Sequence, residues 1–270
     1  MIKKSIITSL QNPRVKQGVK LRDKRERDRT QTFLIEGYRE LSRAVQGGVV
    51  AESLFYSPSH FLGSNEEALI KQIASQGGEL LEVSKEVFEK LSYRDRPDGL
   101  LAVAPQSHLT LKDLEGKLSN SPFLLIAEAI EKPGNLGSIL RSADAAGVDA
   151  LLICDRCTDV YNPNVVRASV GTLFTVPIIE VSSQEAIDWL KMHQIKIVAT
   201  SPDAKETFTE AALSGPVAIV MGTEQLGLSK KWMEQSDLQV SIPMRGIADS
   251  LNVAAATTLL LYEVVRQRSF

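Results

Sequence analysis

The stretch IPMRGIADSLNVAAATTLLLYEVVRQR, residues 242–268, decides the fold of this chain. It starts as a β-type segment, because Val240, Ile242 and Met244 alternate with polar residues or proline at a period of two. From Val253 onward, apolar residues repeat at intervals of three and four, which predicts one wide apolar face of a buried helix. A short polar loop separates the two elements, at a position where α/β folds often hold ligands.

This polar loop contains Asp249, Ser250 and Asn252. Asp249 or Ser250 would cap the helix by accepting a hydrogen bond from one of its first N–H groups. Considered alone, the stretch favours an ordinary C-terminal strand and docking helix over a ligand site. The other polar loops of the chain therefore decide between the two interpretations.

The composition is that of a globular protein with ample material for a hydrophobic core. The 270 residues are 43% hydrophobic and 24% charged, which suits two domains or one large one. No apolar run approaches the roughly 18 residues of a membrane helix, and the first ten residues do not resemble a secretion signal. Two cysteines cannot build a disulfide framework, in agreement with a reducing compartment. We therefore expect a cytoplasmic protein without a membrane segment.

The net charge of −2 is unevenly distributed along the chain. Residues 1–29 contain ten Lys or Arg and three Asp or Glu, a local charge of +7 that leaves −9 for the remainder. Such a basic arm favours a polyanionic partner, nucleic acid above all. The alternative is a solvated helix face on which the acids pair with neighbouring bases.

Predicted strands and helices alternate through the first hundred residues. The predicted strands are residues 33–35, 54–57, 80–83 and 100–104, and the predicted helices are one that ends at Gly47, then residues 66–75 and 85–91. This alternation indicates a small α/β domain over residues 1–105. The polar, turn-rich residues 106–120 are the predicted linker.

The second half, residues 121–270, contains short apolar strands that are mostly followed by helices. The predicted strands are residues 123–128, 150–153, 176–180, 196–199 and 217–221, and the predicted helices are residues 135–146, 164–170 and 184–193. Continuous apolar strands alternating with helices predict a mainly parallel sheet covered on both faces.

Two further loops at strand ends have unusual composition. In EKPGNLGSILRSADAAG, residues 131–147, the glycines do not fit the dinucleotide pattern G-x-G-x-x-G, so a nicotinamide enzyme ranks low. Asn135 at the predicted helix start, with Arg141 two turns further along the helix, suits the binding of a phosphate.

The second of these loops is IVMGTEQLGLS, residues 219–229, in which Gly222 and Gly227 allow the backbone to face a ligand. The alternative for this second loop is a plain strand-to-helix turn with an acid near the helix start.

Taken together, the three loops resemble the motifs of the SpoU, or TrmH-like, family of RNA ribose 2'-O-methyltransferases. The family patterns appear as Asn135, Gly137 and Arg141, then Gly222, Glu224 and Gly227, then Ser250, Leu251 and Asn252. RASVGTLFTVPI, residues 167–178, also resembles the segment between the motifs. FLIEGYRELSRAV, residues 33–45, is similar to a small substrate-binding domain, built like certain ribosomal RNA-binding proteins, that precedes the catalytic domain in several members.

The resemblance implies a fold, a cofactor and a partner. The fold is the SPOUT catalytic domain, with a deep trefoil knot formed by the C-terminal segment. The cofactor is S-adenosylmethionine, held in a bent form by the backbone of the second and third motifs. The implied cofactor-binding residues are Gly222, Ile242 and Leu251, with Thr200, Met244 and Ala254 as neighbours. The implied partner is a second copy of the chain, because in the family residues of the first motif complete the other subunit's site.

Five residues are the catalytic candidates that follow from the motifs: Asn135, Arg141, Glu224, Ser250 and Asn252. A sulfonium methyl is already an activated electrophile, so the protein must mainly align it with the ribose oxygen and help that oxygen lose its proton. Since a guanidinium is a poor base, Arg141 is expected to hold a substrate phosphate and stabilise the forming alkoxide. Asn135 would orient Arg141 or the ribose, and the other three would fix the loops and the substrate.

Other interpretations are weighed beside this one. Cys154 and Cys157 form C-D-R-C, but zinc needs four ligands and the three histidines lack ligand spacing, so no metal is expected. Ribosomal RNA is the favoured substrate because of the added first domain. The alternatives are transfer to tRNA, or a non-catalytic RNA-binding or ribosome-assembly protein that keeps the fold without the chemistry.

Overall fold

The structure is a computed structural model, and it describes residues 6–155, 157–223 and 225–269. The described residues fall into two compact units. Those within Met1–Ser107 and Asp159–Thr175 form the first unit, and those within His108–Thr158 and Val176–Phe270 form the second. The chain therefore returns to the first unit after beginning the second.

The first unit has a four-stranded mixed sheet with helices around it. Its strands are β1 (Thr32–Glu36), β2 (Ser53–Tyr56), β3 (Glu79–Glu82) and β4 (Leu100–Pro105). Its helices are α1 (Pro13–Lys20), α2 (Lys24–Thr30), α3 (Tyr38–Gln46), α4 (Glu66–Ser75), α5 (Lys85–Leu91) and, from the returning segment, α7 (Pro163–Ser169). The strand order is β1-β4-β2-β3, with β4 antiparallel to both neighbours and β2 parallel to β3.

The basic arm contains two ordered helices, and much of its charge is used within the first unit. Arg27 is buried, pairs with Asp159 and donates two hydrogen bonds of 2.8 Å to backbone carbonyls. Arg22 donates to the carbonyls at the end of α5, at 2.6–3.0 Å. Arg14 forms an ion pair with Glu79 at 2.7 Å. Pairing within the molecule thus accounts for several of these charges, while Lys3 and Lys4 lie outside the described residues.

The second unit is built on a seven-stranded sheet in which every neighbouring pair is parallel. Its strands are β5 (Phe123–Glu128), β6 (Ala150–Cys154), β7 (Ile178–Val181), β8 (Lys196–Thr200), β9 (Glu206–Thr207), β10 (Val217–Met221) and β11 (Leu238–Ser241), in the order β7-β6-β5-β10-β8-β11-β9. Its helices are α6 (Pro133–Ala146), α8 (Ser183–Met192), α9 (Lys230–Gln235) and α10 (Val253–Arg268). The predicted mainly parallel α/β sheet is confirmed.

Helices cover both faces of this parallel sheet. On one face, Leu124 and Leu152 share a buried cluster with residues of α8 and with Trp232 of α9. The alternate residues Leu125 and Leu151 are also fully buried, and α10 contacts β10. Burial on both faces explains why these strands are continuous apolar runs rather than alternating ones.

Two local predictions for the C-terminal stretch are wrong. The strand ends at Ser241, so Ile242 and Met244 lie in the loop that follows. Pro243 has no backbone N–H and cannot extend the parallel pairing with β8, although the apolar alternation continues. The helix does begin at Val253, but its cap is Asn252, whose Oδ1 accepts from the Ala254 N–H at 3.0 Å, in place of the expected Asp249 or Ser250.

Residues 108–120, within the predicted linker, belong to the second unit. Leu114 is buried against the cluster under α8, and Leu109 bridges to Ile179 in parallel fashion. The division between the units falls between Ser107 and His108. No helix in the described part of the chain is long and apolar enough to cross a membrane.

Candidate functional site

A cavity of about 610 Å³ lies at the carboxyl ends of β8, β10 and β11. Parallel sheets hold ligands at this edge, because loops after neighbouring strands converge there. The lining includes five of the six residues predicted to bind the cofactor: Thr200, Gly222, Ile242, Met244 and Leu251. The sixth, Ala254, is not part of this lining. It is buried in the first turn of α10, where its N–H is used by the helix cap.

The loop after β10 forms one wall of the cavity. Thr223 and Gly227 exchange two backbone hydrogen bonds of 3.1 Å, which closes the loop into a tight hairpin-like turn. A Cβ on Gly222 would clash with the backbone of Gly227, so only glycine allows this closure. Glu224, predicted from the motif, lies outside the described residues.

The far end of this loop is held by a carboxylate that the sequence analysis did not single out. Glu128, at the end of β5, is only 4% exposed, and its Oε2 accepts from the Ser229 N–H at 2.7 Å. A buried carboxylate needs such a donor. The only sequence signal for it is an acid that ends an otherwise apolar strand.

The first and third motifs meet outside the cavity. Asn252 donates from Nδ2 to Oδ1 of Asn135 at 3.1 Å, while its own Oδ1 caps α10. The helices behind these residues, α6 and α10, pack together, and Ser142 shares a 2.7 Å hydrogen bond with Thr258. Ser250 lines the cavity two residues before Asn252, so the third motif spans both places.

Arg141 is separated from this arrangement within one chain. It is exposed on α6 and does not line the cavity, and its side chain forms no hydrogen bond or ion pair with another described residue. The structure thus gathers Asn135, Asn252 and Ser250 beside the cofactor candidates, but leaves Arg141 at the surface of the second unit.

The charge of the cavity lining limits which ligand it can hold. Asp203 and Asp249 are part of the lining, and no Lys, Arg or His is among the described lining residues. A nucleotide with a phosphate chain would find no cation there, whereas a sulfonium cation is favoured by two nearby carboxylates. Apolar side chains such as Ile242, Met244 and Leu260 supply a surface for a purine ring. The residues therefore fit S-adenosylmethionine.

The surroundings of the two cysteines, one buried and one partly buried, are those of unreactive thiols. Cys154 is buried in β6, and Cys157 accepts from the Ile130 N–H at 3.1 Å and donates to the Ala127 carbonyl at 3.3 Å. Burial raises the pKa of Cys154 far above its usual range and raises the pKa of Cys157 to about 11. Among the residues that the structure describes, no group of three or more His, Cys, Asp or Glu is placed to hold a metal ion.

Two family models match this chain. The model of the SpoU rRNA Methylase family matches residues 122–262, and that of the MRM3-like substrate binding domain matches residues 12–102. The first match spans all three motifs, of which the second and third contribute residues to the cavity lining.

Individual proteins match over nearly the whole chain. A 23S rRNA (guanosine(2553)-2'-O)-methyltransferase, RlmP, of Bacillus subtilis is 31% identical over 96% of this chain and 98% of its own length. The crystal structure of an RNA 2'-O ribose methyltransferase is 43% identical, with a TM-score of 0.85 over 98% of this chain and 100% of that one. An AdoMet-bound rRNA methyltransferase from Sinorhizobium meliloti is 31% identical, with a TM-score of 0.88 over 97% of each chain.

Proposed function

This chain belongs to the SpoU rRNA methylase family, and from that premise we propose that it methylates a ribose 2'-hydroxyl of ribosomal RNA beside the cavity of its parallel sheet. It is an S-adenosylmethionine-dependent RNA ribose 2'-O-methyltransferase. The observation that carries the proposal is the placement of an acidic and apolar cavity next to the Asn135–Asn252 contact. A cofactor site and a polar substrate corner are thereby built from the same three motifs.

The cofactor side of the site consists of backbone and apolar groups. S-adenosylmethionine supplies the methyl group as an electrophile when it is bound. Gly222 allows the loop after β10 to close as a wall, and Leu251 and Ile242 in the C-terminal loop would hold the base of the cofactor. Asp203 and Asp249 provide the negative charge that favours a sulfonium ligand. Their side chains were not among the candidates from the motifs.

The substrate side must orient the ribose and lower the cost of removing its proton. The side chains of Asn135 and Asn252 form a hydrogen bond of 3.1 Å. This bond orients two amide groups at the proposed position of the ribose. Arg141 holds a phosphate through its guanidinium N–H groups and stabilises the negative charge that develops on the 2'-oxygen. Ser250 and Glu224 complete the proposed set of polar groups around the substrate.

Two further properties of the family support finer proposals for this chain. The surface position of Arg141 suits a homodimer in which this residue completes the site of the partner subunit. The trefoil knot is proposed for the C-terminal segment, on the strength of family membership and the closed loop after β10. We propose that the enzyme works in the cytoplasm, which suits a ribosomal RNA substrate.

The direct test uses labelled S-adenosylmethionine with ribosomal RNA and, in a separate arm, tRNA. Label should enter ribosomal RNA at a ribose 2'-oxygen, which ribose-specific mapping of the product identifies. Arg141→Ala should lower the rate by roughly 10²–10³-fold without changing cofactor binding measured by calorimetry. Lys191→Ala, which removes an exposed cation from α8, is the matched control and should keep the wild-type rate.

Three results would contradict parts of this proposal. Full activity of Arg141→Ala would show that Arg141 has no catalytic role. Labelling of tRNA but not of ribosomal RNA would show that tRNA is the substrate. For the dimer, Arg141→Ala chains are mixed with Gly222→Ala chains at a cofactor concentration at which each variant alone has low activity. Recovery of part of the activity supports a shared site, whereas no recovery shows that Arg141 acts within its own chain.

A further inference from the structure

The first unit contains a polar pocket of about 580 Å³ that the proposed catalysis does not use. It lies between the end of β1 and the start of β4. Tyr38 and Arg39 follow β1, Asp98 precedes β4, and Arg167 of α7 forms part of the rim. The volume falls within the roughly 300–1,000 Å³ typical of ligand pockets.

One wall of this pocket is held in place by its own ion pairs and hydrogen bonds. Arg94 lies 2.6 Å from a carboxylate oxygen of Glu40 and donates to the Glu36 carbonyl at 2.7 Å. Asp98 Oδ2 accepts from the Tyr38 N–H at 2.8 Å. Gly37 has a φ of +110°, and a Cβ there would clash with Glu40 and the Arg94 guanidinium. The wall is therefore formed before any ligand arrives.

Other groups of the pocket are free to bind. Arg39 and Arg167 are exposed, and neither forms a hydrogen bond or ion pair through its side chain with any described residue. The second carboxylate oxygen of Asp98, Oδ1, is buried and receives no hydrogen bond from the described residues. The side chain of Tyr38 is half-buried in the lining. The pocket thus combines two free guanidinium groups, a carboxylate oxygen without a donor and an aromatic ring.

These groups together select a class of ligand. Guanidinium forks suit phosphate oxygens, but the Asp98 carboxylate repels a simple anion. The ligand must therefore carry N–H donors as well as a negative charge. A nucleotide has both, and proteins read unpaired RNA by stacking bases on aromatic rings and hydrogen-bonding their edges.

We propose that this pocket binds one unpaired nucleotide of the RNA substrate, with its phosphate on Arg39 and Arg167 and an N–H edge of its base on Asp98. The inference rests on the proposed function, because it assumes that RNA is what the first unit meets. It assigns to this unit a nucleotide-sized anchor, separate from the methyl-transfer site of the second unit.

The first experiment measures binding of a fluorescein-labelled 23S rRNA transcript by the full-length protein over a range of salt concentrations. Arg39→Ala and Arg167→Ala should each weaken binding and should each reduce the slope of log affinity against log salt by about 0.7, the value for one contact with a single strand. Lys71→Ala removes an exposed cation on α4 outside the pocket lining and should change neither quantity. Wild-type affinity and slope in both arginine variants would overturn the proposal.

The second experiment uses Asp98→Asn to separate base recognition from general attraction between charges. The amide oxygen can still accept from the Tyr38 N–H, but an NH₂ group then replaces the Oδ1 acceptor. We expect RNA affinity to fall about tenfold, as for loss of a hydrogen bond to a charged group. If only overall charge mattered, removing a negative charge would strengthen RNA binding, and such strengthening would overturn the assignment of the base edge.

Cofactor binding and methyl transfer distinguish this inference from the proposed function. All pocket variants should bind S-adenosylmethionine as the wild type does, because the cofactor cavity belongs to the second unit. If the wild type methylates RNA while the arginine variants bind RNA normally, the pocket proposal alone fails. If the wild type neither binds the cofactor nor methylates RNA, the proposed function fails, and the pocket proposal fails with it.

Discussion

At the scale of single residues, Asn252 links the stability of α10 to the geometry of the site. Its Oδ1 caps the helix, and its Nδ2 donates to Asn135. Asn252→Asp keeps the capping oxygen and adds a negative charge at the helix N-terminus, which favours folding, but it loses the donor to Asn135. We expect unchanged or higher thermal stability together with a roughly tenfold lower methyl-transfer rate.

Truncation to alanine separates the effect of the helix cap from the effect of the hydrogen bond to Asn135. Asn252→Ala removes both hydrogen bonds, so it should lose activity and about 1 kcal/mol of stability in urea unfolding. Ser182→Ala removes the cap of α8, whose Oγ accepts from the Glu185 N–H at 3.3 Å, and should lose stability alone. A wild-type rate for Asn252→Asp would show that the contact with Asn135 does not matter for catalysis.

Cys157 allows a prediction about pH. Burial raises the pKa of its thiol to about 11, above the value of about 8.5 for an unfolded cysteine. Since the folded state favours the neutral thiol, this group's contribution to stability is present below pH 8.5 and is lost as the pH rises toward 11.

The same raised pKa predicts slow alkylation. Near pH 8 the thiolate is scarce, so iodoacetamide should alkylate Cys157 in the native protein roughly a hundredfold more slowly than free cysteine. Alkylation at the rate of free cysteine in folded protein would contradict the assigned environment, and urea-unfolded protein is the control.

At the scale of elements, the loop after β10 depends on a single glycine. Gly222→Ala places a Cβ against the backbone of Gly227, and backbone cannot move aside as a flexible side chain can. The loop must open, so S-adenosylmethionine should bind at least tenfold more weakly in calorimetry while the circular dichroism spectrum stays the same. Gly215→Ala is the control, because nothing lies within 4 Å of the added Cβ, and it should bind normally. Equal affinities in the two variants would show that loop closure is not required.

The elements also show how far the sequence predicts this protein. Five of the seven strands of the second unit are predicted, because burial in the sheet favours continuous apolar runs, whereas the two-residue polar strand β9 is not predicted. The end of β11 is not, because apolar alternation through Ile242 and Met244 continues after pairing stops at Ser241. Glu128 could not be assigned a role, since its partner, the Ser229 N–H, is about a hundred residues away in sequence. Patterns report burial and local turns, but they carry no information on which distant groups meet.

At the scale of the whole molecule, five of the six predicted cofactor residues line one cavity, whereas the sequence analysis did not predict the segment that returns to the first unit. Residues 159–175 follow strands of the second half in sequence but pack in the first unit. Phe33 of β1 contacts Tyr161 and Phe174, with ring centroids 4.4 Å and 6.2 Å apart. A helix pattern at α7 indicates one apolar face, and nothing in that pattern distinguishes one sheet from another as its partner.

The buried pair between Arg27 and Asp159 makes this assignment testable by unfolding. Arg27 is 1% exposed, and its loss leaves Asp159 and two backbone carbonyls without their donor. Breaking a buried pair from one side costs about 3–5 kcal/mol, so Arg27→Ala should strongly destabilise the first unit. Trp189 and Trp232 both belong to the second unit, so tryptophan fluorescence reports that unit. The urea transition followed by far-ultraviolet circular dichroism should therefore shift more than the fluorescence transition.

The control variant is Arg14→Ala, which breaks an ion pair about half exposed on both sides and should cost less than about 1 kcal/mol of stability. Equal small shifts in both variants would show that the pair does not hold the returning segment, whereas the expected contrast assigns residues 159–175 to the folding of the first unit.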